Sequence, residues 1–320
     1  MRSAAVAALS LSGCALLTAL LPAALAQGAD KPTILVDIYA APGQNKVPLA
    51  LPETRGAPGS DLDTFYAVVR NDLELSGWVT LVDSNASLEP ADAGVRLGEF
   101  SFSDWDTTNA AALAKTDLSA RGEGLRSEVW VYDIAGRRKL GAKAFTTSNV
   151  RVLAHKVANE IIYQITGQQG VFNTRFAFSA KWSGSKEIYI VDFDGFNPRR
   201  VTRNASINIQ PSWSPSGRKL AFTSYLAGNP DLYVADLGSG RITRLSARNG
   251  INTGGAFSPA GDALALTLSP NGDPDIFTLD ATTGRQISRL TNNIGIDASP
   301  AFSPDGSRIA FVSERSGGAQ

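Results

Sequence analysis

Hydrophobic positions follow two rhythms along this chain, and the change between them divides it. In the first part, helical spacing alternates with short apolar runs. Leu62, Phe65, Val69 and Leu73 recur at helical intervals behind Asp61, which reads as the cap, and Gly77 closes the pattern. Asn149 opens a second helix with Leu153, Val157, Ile161 and Ile165 four apart on one face, ended by Gly167. Apolar runs at 34–39 and 78–82 predict strands, and 128–133 with 143–147 predict a hairpin around Ala135-Gly136-Arg137. A Pro/Gly-rich loop is expected through Gly59, and a short helical or irregular piece from Asp104-Trp105. Two helices on one face of a mixed sheet make a small α/β domain over 34–170.

From 171 to 320 the rhythm becomes alternating and periodic. Trp213-Ser214-Pro215-Ser216-Gly217, Phe257-Ser258-Pro259-Ala260-Gly261 and Phe302-Ser303-Pro304-Asp305-Gly306 align, with aromatics 44 and 45 residues apart. Each motif is followed by an apolar strand, at 219–223, 263–267 and 308–312. Second strands start at Glu187, Asp231 and Asp275, 44 residues apart, and third strands run through 200–202, 243–245 and 288–291. In Ser-Pro-x-Gly, Pro fixes φ at the second turn position and Gly supplies the positive φ of a bulged hairpin. Asp236 and Asp280 start the next turns, where a carboxylate accepts backbone N–H groups. A 44-residue unit of about four short strands is a β-propeller blade.

One recurrence is not required by the turns. Ile207-Asn208, Ile251-Asn252 and Ile296-Asp297 lie 44 and 45 residues apart in loops that lead into each innermost strand. Ile209-Gln210-Pro211, Thr253-Gly254-Gly255 and Ala298-Ser299-Pro300 finish those loops. Such loops cluster at one mouth of a propeller channel. A ring of Ile with Asn/Asp suits a protein loop, or a hard cation on oxygen ligands, and equally suits capping and inter-blade packing. Gly254-Gly255 stands where the other loops have Pro, which predicts a different shape there.

Composition removes several chemistries. Thirty basic and thirty acidic residues leave no net charge for gripping phosphates. With one Cys (Cys14), one His (His155) and one Met, the chain has no disulfide framework, no Cys/His zinc site and no spare imidazole for most triads. No nucleophile elbow, phosphate loop or dinucleotide fingerprint occurs. His155 reads as a solvated or interdomain side chain, and Trp78, Trp105, Trp130, Trp182 and Trp213 read as core. Residues 3–26 are uncharged behind Arg2 and end Ala24-Leu25-Ala26, which predicts a signal peptide over 1–26. A membrane anchor, or lipidation at the lipobox-like Leu11-Ser12-Gly13-Cys14, stays open.

The Trp/Phe-Ser-Pro-x-Gly repeat resembles the blades of the TolB family, periplasmic propeller proteins of the Tol–Pal system. The segment Thr166-Gly167-Gln168-Gln169-Gly170-Val171-Phe172-Asn173-Thr174-Arg175-Phe176-Ala177-Phe178 is similar to that family's link between its two domains. The resemblance implies an α/β domain followed by a six-bladed β-propeller, in a monomeric, non-enzymatic, cofactor-free scaffold. It implies that a Pal-type lipoprotein docks at the channel mouth, on Asn208, Ile209, Gln210, Ile251, Asn252, Thr253, Gly254, Ile296, Asp297 and Ala298. It also implies that a TolA-type inner-membrane protein binds the mature N-terminal segment, Gln27, Gly28, Ala29, Asp30, Lys31, Pro32 and Thr33. The implied role is outer-membrane integrity and constriction during division. On this reading Asp297→Lys weakens Pal binding and leaves the domain folded. The rival readings are a propeller-bearing hydrolase, such as a serine peptidase, whose catalytic domain lies elsewhere, and a generic extracytoplasmic binding propeller. About three and a half repeats follow residue 171, and a fourth second strand falls due near 319. A propeller closes with roughly 4–8 blades, so a C-terminally truncated, open blade array is expected.

Overall fold

The computed structural model describes residues 46–320, together with a two-residue strand pair at Ala8–Leu9 and Leu17–Thr18. The expected signal peptide, the 27–33 segment and the 34–39 strand lie outside residues 46–320. Two compact units are present. One runs to Thr174 and takes in Asp192–Phe196; the other holds Arg175–Val191 and Asn197–Gln320.

In the first unit the main sheet has the order β3 (Val79–Val82), β1 (Val47–Ala50), β4 (Ala112–Arg121), β5 (Gly124–Asp133), β6 (Arg138–Thr147). β1 pairs in parallel with β3 and with β4. β5 and β6 extend it as an antiparallel meander. A short β2 (Arg55–Gly56) also pairs with β4. Helix α1 (Ser60–Leu75) buries Phe65, Val68, Val69 and Leu73, and α2 (Val150–Thr166) buries Leu153, Val157, Ile161 and Ile162. The two helices pack on each other and on the sheet, where Val129 and Val131 are fully buried. A 3-10 helix, Phe102–Thr108, belongs to a second apolar cluster, in which Trp105 packs with Ala50, Leu113, Tyr132 and Ile134.

Several local expectations change. Asp61 does not cap α1; Gly59 holds that position without a side-chain bond, and Asp61 sits in the first turn. The segment expected to be loop contains β1 and β2. β4 goes unseen in the pattern because its buried run includes Lys115 and Thr116, satisfied by Glu89 and Thr54. Asn149 does cap α2, its Oδ1 accepting the Val152 N–H at 3.1 Å, and Gly167 ends it at φ 73°.

The second unit is a row of antiparallel sheets. Blade I has β7 (Arg175–Ala180), β8 (Glu187–Asp192) and β9 (Arg199–Arg200). Blade II has β10 (Asn208–Trp213), β11 (Lys219–Ser224), β12 (Asp231–Asp236) and β13 (Ile242–Ser246). Blade III has β14 (Asn252–Phe257), β15 (Ala263–Leu268), β16 (Asp275–Asp280) and β17 (Gln286–Arg289). β18 (Asp297–Phe302) and β19 (Ile309–Ser313) begin a fourth. The Ser-Pro-x-Gly hairpins form as predicted, with Gly217, Gly261 and Gly306 at φ 65°, 78° and 74°. The middle strands of blades II and III are buried on both faces, because each of these blades packs between two others. Ile188, Ile190, Leu220 and Phe222 fill the space between blades I and II; Leu232, Val234, Leu264 and Leu266 fill the next. This is an α/β domain followed by part of a β-propeller.

Candidate functional site

The candidate mouth residues fall inside the innermost strands rather than in loops before them, except Ile251 and Ile296, which immediately precede β14 and β18. Asn208, Asn252 and Asp297 are the first residues of β10, β14 and β18. Each backbone N–H donates to the carbonyl preceding a second strand: Lys186, Pro230 and Pro274, at 2.8, 3.0 and 2.9 Å. The three side chains are 0 %, 0 % and 1 % exposed. Asn208 donates to Glu187 and to the Lys186 and Ser206 carbonyls. Asn252 accepts from Ser246 and the Arg248 N–H. Asp297 accepts from Arg315 at 2.9 Å and from Asn293 at 3.4 Å. These side chains bind one blade to the next, and their polar atoms are already engaged.

A set of residues that the sequence reading passed over completes these junctions. Glu187, Asp231 and Asp275, the acids that begin the second strands, are buried. They pair with Arg200, Arg244 and Arg289. Thr202 and Thr291 add hydroxyl donors to Glu187 and Asp275. The 44-residue spacing of the acids was legible; their burial was not, since an acid at a strand start ordinarily belongs to a turn. Asp236 and Asp280 are the ordinary case. They are exposed-side turn carboxylates held below the usual range by backbone N–H groups of Ser239 and Thr283 respectively.

What the mouth strands do present comes from their neighbours. Each has a bulge between its second and fifth residues. One equivalent residue per bulge is left-handed: Gln210 (φ 53°), Gly254 (φ 69°) and Ser299 (φ 55°). Gly254 therefore keeps the shape of its neighbours, against expectation. Gln210 and Ser299 are exposed, Ile209, Ile251, Thr253, Gly254 and Ala298 half-buried, and Ile207 and Ile296 50 % and 44 % exposed. Bulges of this kind re-aim side chains.

The first unit holds a separate polar constellation. His155 is neither solvated nor free: it is 5 % exposed, and its Nδ1 lies 2.6 Å from Asp72 Oδ2 on α1. Burial pushes the Asp72 carboxyl up to about 6. Asp194, in the Asp192–Phe196 loop, pairs with Arg151 of α2, whose guanidinium lies 3.8 Å from the Phe196 ring centre. Asp72, His155 and Asp194 place ligand atoms within 4.8 Å of one another. Among the tryptophans, Trp105 is core, whereas Trp182 is 40 % exposed beside Tyr189 and Phe178.

Comparison with known families agrees with this architecture. Residues 36–140 match the model of the TolB amino-terminal domain, and residues 162–320 match that of the TolB beta propeller domain. The chain belongs to the TolB family. Relatives named Tol-Pal system protein TolB include one from Geobacter sulfurreducens, 38% identical over 194 residues, covering 58% of this chain and 44% of that protein. Another, from Bordetella parapertussis, is 35% identical over 258 residues, covering 79% and 57%. The crystal structure of TolB from Acinetobacter baumannii superposes with a TM-score of 0.76 at 26% identity, covering 87% of this chain and 68% of that one. The chain spans about half the length of the curated relatives it matches.

Proposed function

We propose that this TolB-family chain is a non-enzymatic periplasmic scaffold of a Tol–Pal system. It links a TolA-type inner-membrane partner, through residues 27–33, to a Pal-type peptidoglycan-associated lipoprotein at the propeller mouth. The role served is outer-membrane integrity and constriction during division. Relatives named as Tol-Pal system proteins support the setting. The observation that carries the binding reading is the bulged inner strand. Its repetition holds Gln210, Gly254 and Ser299 in one backbone conformation, beside exposed Ile207 and Ile296. Apolar anchors at the entry to a rigid strand, rimmed by polar groups, are what a protein partner needs. The lone imidazole is committed to a buried carboxylate, which supports a role in binding rather than catalysis.

The geometry moves the expected contacts. Asp297 is buried against Arg315, so a partner meets Ile296, Ala298 and Ser299 instead. The test is calorimetric titration of the chain with the soluble domain of a Pal-type lipoprotein. Ile296→Asp is expected to weaken binding roughly tenfold or more, as for an interface anchor, with the unfolding midpoint unchanged. Equal affinity in the folded variant would reject this surface.

A further inference from the structure

Three donors, two carboxylates and one imidazole, converge at one buried point of the first unit, each from a different element. Asp72 comes from α1, His155 from α2, and Asp194 from the Asp192–Phe196 loop. Asp72 is fully inaccessible, and the Asp194 carboxylate is 5 % exposed. One oxygen of Asp72 meets His155, but the other, Oδ1, is buried with no hydrogen-bond partner. A buried acceptor to which no protein group donates calls for a partner from outside the chain. The charge points the same way. Two carboxylates face one guanidinium, so the second negative charge out of water is offset only by a proton held between Asp72 and His155, whose place a divalent ion takes.

The geometry points to a divalent transition-metal site of the zinc class formed by Asp72, His155 and an Asp194 oxygen. One imidazole nitrogen and two carboxylates form a borderline donor set that zinc accepts at about 2.0–2.2 Å. Calcium and magnesium demand about six oxygens and are a poor match. Scarcity of Cys and His excludes a thiolate or multi-histidine site but not this one. The present Nδ1 to Oδ2 contact is the proton-held form of the same pair. Donors around a tetrahedral ion stand about 3.3 Å apart, so the ring retreats slightly from its 2.6 Å contact as the ion enters. The proton between them leaves on binding. Arg151 donates to Asp194 Oδ2 and the Phe196 N–H donates to its Oδ1 at 3.1 Å, and together they orient the carboxylate. Buried, with ligands on three elements, the ion ties α1, α2 and the loop together.

A single histidine makes the test unambiguous, because any shift of a histidine ring resonance reports His155. The full chain, stripped with a chelator, is titrated with zinc chloride by calorimetry and by NMR of the imidazole ring. One ion per chain is expected, with a buffer-dependent enthalpy from proton release and a stoichiometric shift of the ring nitrogens. Cobalt is expected to give a visible ligand-field spectrum. His155→Gln and Asp72→Asn are expected to weaken binding roughly 100-fold; Asp194→Asn, at the loop, serves if either fails to fold. Cys14→Ser is expected to bind as the parent does. An imidazole signal that ignores stoichiometric zinc overturns the proposal, as does binding that survives in all folded variants.

Discussion

Asp72 bears the cost of its surroundings without an ion. Burial raises its carboxyl from the usual 3.8 to about 6, against the opposing pull of His155 and Arg151 and with Asp194 adding to the rise. A group whose folded pKa is raised binds more protons folded than unfolded, so its contribution to stability is complete below about 4 and lost as pH climbs through 6. The metal-free chain is therefore expected to gain on Asp72→Asn as pH falls from 7 to 4, since only the parent takes up the proton. The full change is on the order of 3 kcal/mol, read as the difference between urea unfolding curves of the two proteins across that range. A flat difference would show that Asp72 does not titrate there. The sequence places His155 two residues past Leu153 on α2 but cannot show what lies over that flank. The partner is 83 residues away on α1, and helical periodicity carries no information about it.

At the scale of elements, legibility followed local chemistry. Asn149 and Gly167 bound α2 because cap and left-handed terminus are properties of single residues, and Ser-Pro-x-Gly hairpins were legible for the same reason. β1 was hidden by Pro48, which sits in a strand flanked on both sides; part of the neighbouring ladder is met through its carbonyl, which accepts the Ala111 N–H at 2.9 Å. The inner-strand bulges were hidden because two of their left-handed residues, Gln210 and Ser299, are not glycine. That conformation costs a side-chain-bearing residue about 1–2 kcal/mol. Gly254→Ala is accordingly expected to destabilise the chain by about 1 kcal/mol. Steric crowding is not the cause, as the nearest atom to an added Cβ would be Pro300 Cδ at 4.0 Å. Gln210→Gly is expected to be neutral or slightly stabilising. Chemical denaturation of both variants checks the pair, and a Gln210→Gly variant destabilised as much as Gly254→Ala would show that the bulges differ between blades.

Across the whole molecule, the 44-residue period was read from aromatic and turn residues, yet the structure writes the same period in buried charge. Glu187, Asp231 and Asp275 each hold an arginine from their own blade, and Asn208 and Asp297 carry two of these networks toward the next inner strand. Hydrophobic contact between blades is permissive in direction, whereas paired acids and arginines fix register. Removing an arginine leaves its buried acid unmatched, at about 3–5 kcal/mol, and burying a cation in the acid's place is costly for the same reason, whereas deleting the acid strands a guanidinium that solvent partly reaches. The Asp297→Lys substitution falls in this class: it sets a cation against Arg315 at a 1 % exposed position, and so cannot spare the fold as the sequence reading expected. Asp275→Ala strips Arg289, Thr291 and the Asn293 N–H of their acceptor. Because repeats touch only their neighbours, that damage stays local. Hydrogen exchange is expected to accelerate across β14–β19, while α1, α2 and the sheet between β3 and β6 keep the protection of the parent. Uniform loss of protection through both units would instead mean that the chain unfolds as one cooperative body, with the charged junctions stabilising the whole rather than each blade.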